Sequence, residues 1–411
     1  MERTAGKRIL LITPNLPLHP YRGNTARLAA VMDHLRTRGH SLHVVLTANR
    51  CPSYRERSGL LSSVESYKFI SLAGCALPPS VALPLKQATR AGKSTWRRLT
   101  GWWQRLCGNS GDVYDQLARL VARYSPDILW LNYAYLAPLL TKVPRQAGCL
   151  WVVDTHDCMH TRDASLIQAG LPPHYGVSRQ DEAALLELFD LILAIQDNEA
   201  EQLRQLVPHR QIITVGHCVT ALPAKATEPV VCFVAGKGSS NLQGICTFLE
   251  GAWGKIEHAC PEARLHIVGR ICSEEPLRQL AGRFPSVVLR GHVSDLSAVY
   301  QGPAVMICPL WAGSGLKIKM VEALAHGKAV VTTPIGAQGM EDGLGQAFIA
   351  VEKAEDFAEP IVSLLRDRAR RQSLENAAYQ YGRKKFGPEE VYQELDHILD
   401  GGLGVPRKLS A

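Results

Sequence analysis

The segment Gly313-Ser314-Gly315-Leu316-Lys317-Ile318-Lys319-Met320-Val321-Glu322-Ala323-Leu324-Ala325-His326-Gly327 decides how this chain reads. One unbroken apolar run, residues 304–310, precedes it and another, 329–331, follows it, which is the pattern of a strand, a helix and a strand in one parallel unit. Strands apolar at every position read as buried on both faces. Ile318, Val321 and Ala325 recur at helical spacing on the face expected to lie on the sheet, and Lys319, Glu322 and His326 on the face expected to look outward. Gly313 and Gly315 permit a sharp turn at the helix start, where free N–H groups and roughly half a unit of positive dipole charge collect. Lys317 and Lys319 stand beside that end. The combination suits a phosphate, and Glu322, one turn on, offers a carboxylate to vicinal hydroxyls, so a nucleotide-sugar diphosphate would satisfy both. Spacing alone equally permits an amphipathic surface helix with a Lys319–Glu322 pair worth roughly 0.3 kcal/mol.

A glycine turn and helix ending in Glu322-Ala323-Leu324-Ala325 resembles the donor-binding motif of family 4 glycosyltransferases of the GT-B fold. Gly291-His292-Val293-Ser294-Asp295-Leu296 before it and Thr333-Pro334-Ile335-Gly336-Ala337 after it extend the resemblance. It implies an α/β chain of GT-B architecture, two doubly wound Rossmann-like domains facing each other across a cleft. It also implies a retaining transferase with a nucleotide-diphosphate sugar as co-substrate, no cofactor and no metal. Donor-binding residues carried over by the resemblance are Gly236, Lys237, Ser314, Gly315, Leu316, Lys317, Lys319 and Glu322, with Lys317 also counted as catalytic.

Three departures accompany the match. Lys237 stands where the family usually has arginine, and Gln243, before Gly244, where it has a lysine that grips the diphosphate. Of two glutamates that usually bracket the motif, Glu322 is the second and Ser314 occupies the place of the first. A lost charged hydrogen bond costs about 1.5–3 kcal/mol, a penalty in rate or affinity rather than a disqualification. Lys317 and Lys319 are expected to supply the missing charge together with the helix N-terminus. No Asp-x-Asp pair stands beside a strand end to hold Mg²⁺. The run Gly236-Lys237-Gly238-Ser239-Ser240-Asn241 is only superficially a dinucleotide fingerprint, because Asn241 takes the third glycine position and no suitable acid follows.

Length and composition agree with this frame. A chain of 411 residues holds two or three domains. The expected division is 1–219 for an acceptor-side domain, 220–229 for a linker with two prolines, 230–386 for a donor domain, and 387–411 for a terminal helix crossing back, with a tail. With 46% hydrophobic and 20% charged residues, the sequence is an ordinary globular one rather than a disordered one. No apolar run approaches the ~18 residues of a membrane span. The first eight residues pass directly into a strand-like 9–13 without an apolar leader, so a cytoplasmic location, at most peripheral at the inner face of a membrane, is expected. Eleven cysteines, an odd number with no Cys-x-x-Cys, read as reduced core residues.

Within the first domain, strand 9–13, a proline-rich loop with Gly23, and a helix over 25–38 open a doubly wound unit. The resemblance places Gly23 and Asn24 in the cleft. Strand 150–153 ends in Asp154-Thr155-His156-Asp157, and polar residues at the carboxyl end of a buried parallel strand are where such sheets bind ligands. Read alone, His156 is better explained as a satisfied structural histidine. The resemblance makes it a catalytic residue against the transferred sugar, with Asp157 and Arg162 on the acceptor side.

The net charge of +8 has an uneven distribution. No acid stands between residues 66 and 111, while Lys68, Lys86, Arg90, Lys93, Arg97, Arg98 and Arg105 do. Trp96, Leu99, Trp103 and Leu106 recur there at helical spacing, so segment 86–106 reads either as an interfacial helix for an anionic membrane or as a stripe packed on the core. No nucleic-acid recognition module accompanies the charge, and no nucleic-acid partner is expected. The expected activity is transfer of a sugar from a nucleotide sugar to a hydroxyl of a glycan or lipid-linked glycan. A GT-B-like sugar-nucleotide epimerase and a binding subunit without turnover remain as alternatives.

Overall fold

The computed structural model describes residues 6–16, 23–48, 64–71, 111–220, 222–223, 226–293 and 296–401. Segment 86–106 lies outside the described residues. Two parallel sheets carry the fold. The first has strands β1 (Arg8–Thr13), β2 (Ser41–Ala48), β3 (Ser66–Ser71), β4 (Ile128–Asn132), β5 (Leu150–Asp154), β6 (Leu191–Ala194) and β7 (Gln211–Thr214) in the order 3-2-1-4-5-6-7. The second has β8 (Ala226–Val234), β9 (Arg264–Val268), β10 (Val287–Gly291), β11 (Gly302–Cys308), β12 (Ala329–Thr332) and β13 (Ile349–Ala350) in the order 10-9-8-11-12-13. Each order reverses once, between β1 and β4 and between β8 and β11. Ligands of doubly wound sheets bind at the carboxyl ends of such a pair.

The sequence explains the burial. The β4 strand, Ile128-Leu129-Trp130-Leu131, is apolar at successive positions and fully buried, as a strand with helices on both faces must be. Register follows the same logic, with Leu10 opposite His43 on one side and Leu129 on the other.

Several elements differ from the reading of the sequence. The edge strand β3 forms inside the acid-free stretch, where polar Ser66, Lys68 and Ser71 obscure a strand whose Ile70 is buried. The β8 strand begins at Ala226, within the stretch read as linker, and pairs through Gly302 opposite Ala226. The motif helix spans Ile318–Ala325 only, and it is buried nearly all round rather than amphipathic. His326, expected to look outward, is buried and stacks on Tyr300 at 4.8 Å, while Ile318, expected to face the sheet, is half-buried. The cause is the Arg368–Phe386 helix, which covers the outer face so tightly that Gly382 meets the Leu324–Ala325 backbone, where a Cβ would stand 2.7 Å from Ala325 N.

The chain passes between the halves twice, and the passages touch: Val219 N–H donates to the Phe386 carbonyl at 2.9 Å. The Pro388–Leu399 helix then packs Val391, Tyr392, Leu395 and Ile398 into the first half's core beside Leu28 and Leu35. His34 bonds Asp396 at 2.7 Å and stacks on Tyr392. All cysteines among the described residues are free.

Candidate active site

The carboxyl ends of β5 and β6 meet the glycine loop of the second half. Asp154, the last residue of β5, forms a fully buried pair with Arg27 at 2.9 Å, and Arg27 also donates to the Gly216 carbonyl. Burial pushes the Asp154 carboxyl up, but Arg27 and His156 outweigh it and hold the group ionised. His156 follows with a φ of 61°, a left-handed conformation that a non-glycine residue adopts only when its surroundings impose it. Its ring stacks on Tyr133 at 4.3 Å, and Nε2 lies 3.5 Å from Asp154 Oδ2. Burial, helped by the Arg27 charge, lowers the imidazole pKa despite Asp154 and Asp157, so His156 is neutral at pH 7.

Asp157 is the joint between the halves. Its Oδ1 accepts from Arg162 at 2.7 Å, and its Oδ2 accepts from the Tyr175 hydroxyl at 2.9 Å. Asp157 raises the Arg162 pKa further, so that guanidinium stays charged. Across the cleft, Ser314 Oγ approaches Asp157 Oδ1 at 3.5 Å, and Ser165 both donates to the Gly313 carbonyl and accepts from its N–H. Gly313 and Gly315 have φ of 116° and 76°, and a Cβ on Gly315 would stand 2.9 Å from Asp157 Oδ1. Only glycine allows both the turn and the approach. Gly23 makes the other close approach, where a Cβ would stand 2.7 Å from Ile318 Cγ1 at the start of the motif helix.

The expected phosphate-binding residues separate into three environments. Lys317 caps the motif helix and turns back, donating to the carbonyls of Ser314 and Gly315 and to Gln338 Oε1 at 3.0, 2.7 and 3.0 Å. All three ammonium protons are thus used in holding the loop, and Leu316 is buried beneath it. Lys319 Nζ donates to Asn241 Oδ1 at 2.7 Å and lies 4.4 Å over the Phe233 ring. It therefore spans from the motif helix to the Ser239–Phe248 helix, whose start Asn241 ties to the Gly236 carbonyl. Burial lowers both lysines to about 8. Lys237 is half-exposed and pairs with Glu274 at 2.9 Å instead of joining the other two.

Glu322 does not face out of the sheet. Its Oε2 accepts from the buried Tyr300 hydroxyl at 2.7 Å, and burial pushes its pKa up to about 7. Asn24 turns its amide to the Tyr133 hydroxyl at 2.8 Å.

Sequence reasoning missed residues that tertiary structure alone brings in. Glu199, near the start of the Asp197–Leu206 helix, is buried under the glycine loop, accepts from Cys158 N–H at 3.2 Å, and leaves Oε2 without a partner. Burial, reinforced by Asp157, raises it to about 8. Tyr133 and Tyr175 complete the floor. Among the described residues Cys158, His160 and Glu182 approach closely enough to share an ion, but Glu182 already accepts the N–H groups of Met159 and His160 and so serves as a helix cap.

Residues 228–367 match the sequence model of the family described as glycosyl transferases group 1. The chain has the GT-B fold. HepE of Anabaena, solved with UDP and glucose, superposes with a TM-score of 0.66 at 13% identity, covering 96% of this chain and 99% of that one. TarM of S. aureus, solved with fondaparinux, an α-GlcNAc-glycerol and UDP, gives 0.68 at 9% identity, with 95% and 99% covered. At such identities the likeness is one of fold. A Klebsiella pneumoniae protein, described as an uncharacterized 44.6 kDa protein in the cps region, is 22% identical over 162 residues, which span 38% of this chain and 42% of the relative. No helix among the described residues is long and apolar enough to cross a membrane.

Proposed function

We propose that the enzyme transfers a sugar, with retention of configuration, from a nucleotide-diphosphate sugar to a hydroxyl of a glycan or lipid-linked glycan. The observation that carries this reading is the meeting of the two halves at one loop: Lys317, Lys319 and a helix start lie on one side, and a neutral His156 beside Asp157 lies on the other. The leaving diphosphate gains charge as the glycosidic bond breaks. Lys319 and the N–H groups around Ile318 are preorganised to stabilise it in a site of low dielectric, so a divalent cation is not needed. Glu322 holds the ribose hydroxyls. His156, Asp157 and Arg162 orient the transferred sugar, with Gly23 and Asn24 on the acceptor side. HepE and TarM were both solved with UDP, which makes UDP-sugars the first donors to test. The cps-region relative favours an acceptor in polysaccharide assembly. Segment 86–106 belongs to the same proposal, as the part that holds the enzyme on an anionic leaflet beside a lipid-linked acceptor.

A panel of UDP-, GDP-, ADP- and dTDP-hexoses tested for thermal stabilisation identifies the donor. Product analysis with and without acceptor then decides the reaction. Slow donor hydrolysis and metal-independent transfer are expected. An epimerised nucleotide sugar, or binding with no turnover under any condition, would refute the transferase reading.

A further inference from the structure

Tyr133 is the first residue after β4, at the point where the strand order of the first sheet reverses, and Asn15, just after β1, and Asn24, at the start of the Gly23–Thr37 helix, face it. It adopts a φ of 76°. Among the described residues only Ser125, Tyr133 and His156 are non-glycine with positive φ, and two of these stand at the ends of adjacent strands with their rings stacked. Strain concentrated in this way is expected where a side chain must be aimed.

The hydrogen bonds show what is aimed. The Tyr133 oxygen accepts from Asn15 Nδ2 at 2.9 Å and from Asn24 Nδ2 at 2.8 Å. The Asn24 amide is oriented by its own oxygen, which accepts from Thr25 N–H at 3.0 Å. Two donors occupy the acceptor capacity of the phenol, so its single proton must point to a third group. Among the described residues no acceptor for it is recorded. Burial raises the phenol far above its ordinary pKa, so the proton is always present. Tyr133 also sits between two of the contacts that join the halves: Asn24 adjoins Gly23 against Ile318, and His156 adjoins Asp157 against Ser314 and Gly315.

We propose that the Tyr133 hydroxyl donates its proton in a hydrogen bond to a hydroxyl oxygen of a sugar in the cleft, with Asn15 and Asn24 as the residues that position it. This rests on the transferase reading and adds a substrate-binding group to it. The expected ligand atom is a neutral sugar oxygen, since a phenol held between two amides offers direction rather than charge. It belongs either to the transferred sugar or to the acceptor, and kinetics separate the two.

The test uses the full chain and the nucleotide sugar selected by the panel, with water and p-nitrophenyl glycosides as acceptors. Tyr133→Phe keeps the ring on His156 and removes only the proton and its oxygen. Nucleoside-diphosphate affinity should stay within about twofold, because the nucleotide lies on the other half, while rates fall about 10- to 100-fold. A fall in both hydrolysis and transfer places the oxygen on the transferred sugar, and a fall in transfer alone places it on the acceptor. Asn15→Asp supplies a second variant should the phenylalanine protein fail to fold. Its carboxylate would capture the phenol proton, so the rate should fall as far as in Tyr133→Phe although the hydroxyl remains, and further than in Asn15→Ala. Parental rates in Tyr133→Phe, or in Asn15→Asp, would overturn the assignment. A panel in which no nucleotide sugar binds would instead sink the transferase reading itself.

Discussion

Lysines 317 and 319 are two positions apart and do different work. Lys317 has its three protons on loop oxygens, so removing it should loosen the glycine turn as well as the proposed phosphate site. Lys319 has one bond to Asn241 and the face of Phe233. Accordingly Lys317→Ala should lower both Tm and nucleotide-sugar affinity, whereas Lys319→Ala should lower affinity with little change in Tm. Calorimetric titration beside thermal unfolding checks this, and equal Tm losses would contradict it. The sign of the pH dependence follows from the same pair. Burial lowers their pKa from 10.5 to about 8, so in the empty enzyme each is charged below pH 8 and neutral above it. A diphosphate favours the charged form. Affinity for a nucleotide sugar, whose diphosphate does not titrate in this range, should therefore fall between pH 7 and 9, roughly tenfold per lysine involved. Affinity for the bare nucleoside should not. The penalty of the desolvated lysines on folding is full below pH 8 and lifts as pH rises toward 10.5. Glu322 and Glu199 act oppositely, since their raised pKa values penalise the fold progressively from about 4.5 up to about 7 and 8. His156 presents another separable effect. If, as proposed, it orients the transferred sugar rather than the nucleotide, His156→Ala should reduce turnover far more than affinity for the nucleoside diphosphate product. Equal losses would make it structural.

At the scale of elements, the strand-helix-strand unit around the glycine loop was legible because its determinants are local: two apolar runs, two glycines and a helix-length segment between them. The Tyr300–Glu322 bond and the burial of His326 were not, because they depend on Tyr300 and on the Arg368–Phe386 helix some fifty positions on, and no local period reports on distant partners. The same reason hid Glu199 and Tyr133, whose importance arises from the ends of β4 and β6 lying next to β5. Strand β3 escaped because a half-polar edge strand lacks the continuous apolar signal of its neighbours. The loop itself offers a direct test. Gly315→Ala puts a Cβ into a left-handed conformation, at about 1–2 kcal/mol, and 2.9 Å from the Asp157 carboxylate. It should lower Tm and also displace Asp157 from the glycine loop, so donor hydrolysis should fall by more than the loss in folded fraction explains. Gly345→Ala has a similar φ of 75° with nothing within 4 Å of its Cβ, and serves as the control for backbone strain alone. If the two variants lose the same activity, proximity to Asp157 is irrelevant.

On the scale of the whole molecule, two sheets are joined by a pair of touching chain passages and by a terminal helix that returns to the first sheet. The halves otherwise meet chiefly through glycines and small polar groups, which suits a cleft that opens for substrate and closes for reaction. The proposal that the cleft works beside a membrane rests on charge outside it. Lys86, Arg90, Lys93, Arg97, Arg98 and Arg105 stand in a stretch with no acid, and each would contribute about 1 kcal/mol beside an anionic leaflet, with Trp96 and Trp103 adding interfacial burial. That attraction is screened within a Debye length of about 8 Å at physiological ionic strength, so it should be sensitive to salt. Co-sedimentation should show binding to vesicles containing phosphatidylglycerol, little to pure phosphatidylcholine, and release as salt rises. A triple variant carrying Arg97→Glu, Arg98→Glu and Trp103→Glu should lose vesicle binding while keeping donor hydrolysis in solution, since the donor residues lie in other segments. If the variant unfolds, the tryptophan stripe belongs to the core. If the parent enzyme binds neutral and anionic vesicles alike, the cations are merely solvated and the acceptor must reach the cleft without the help of the membrane surface.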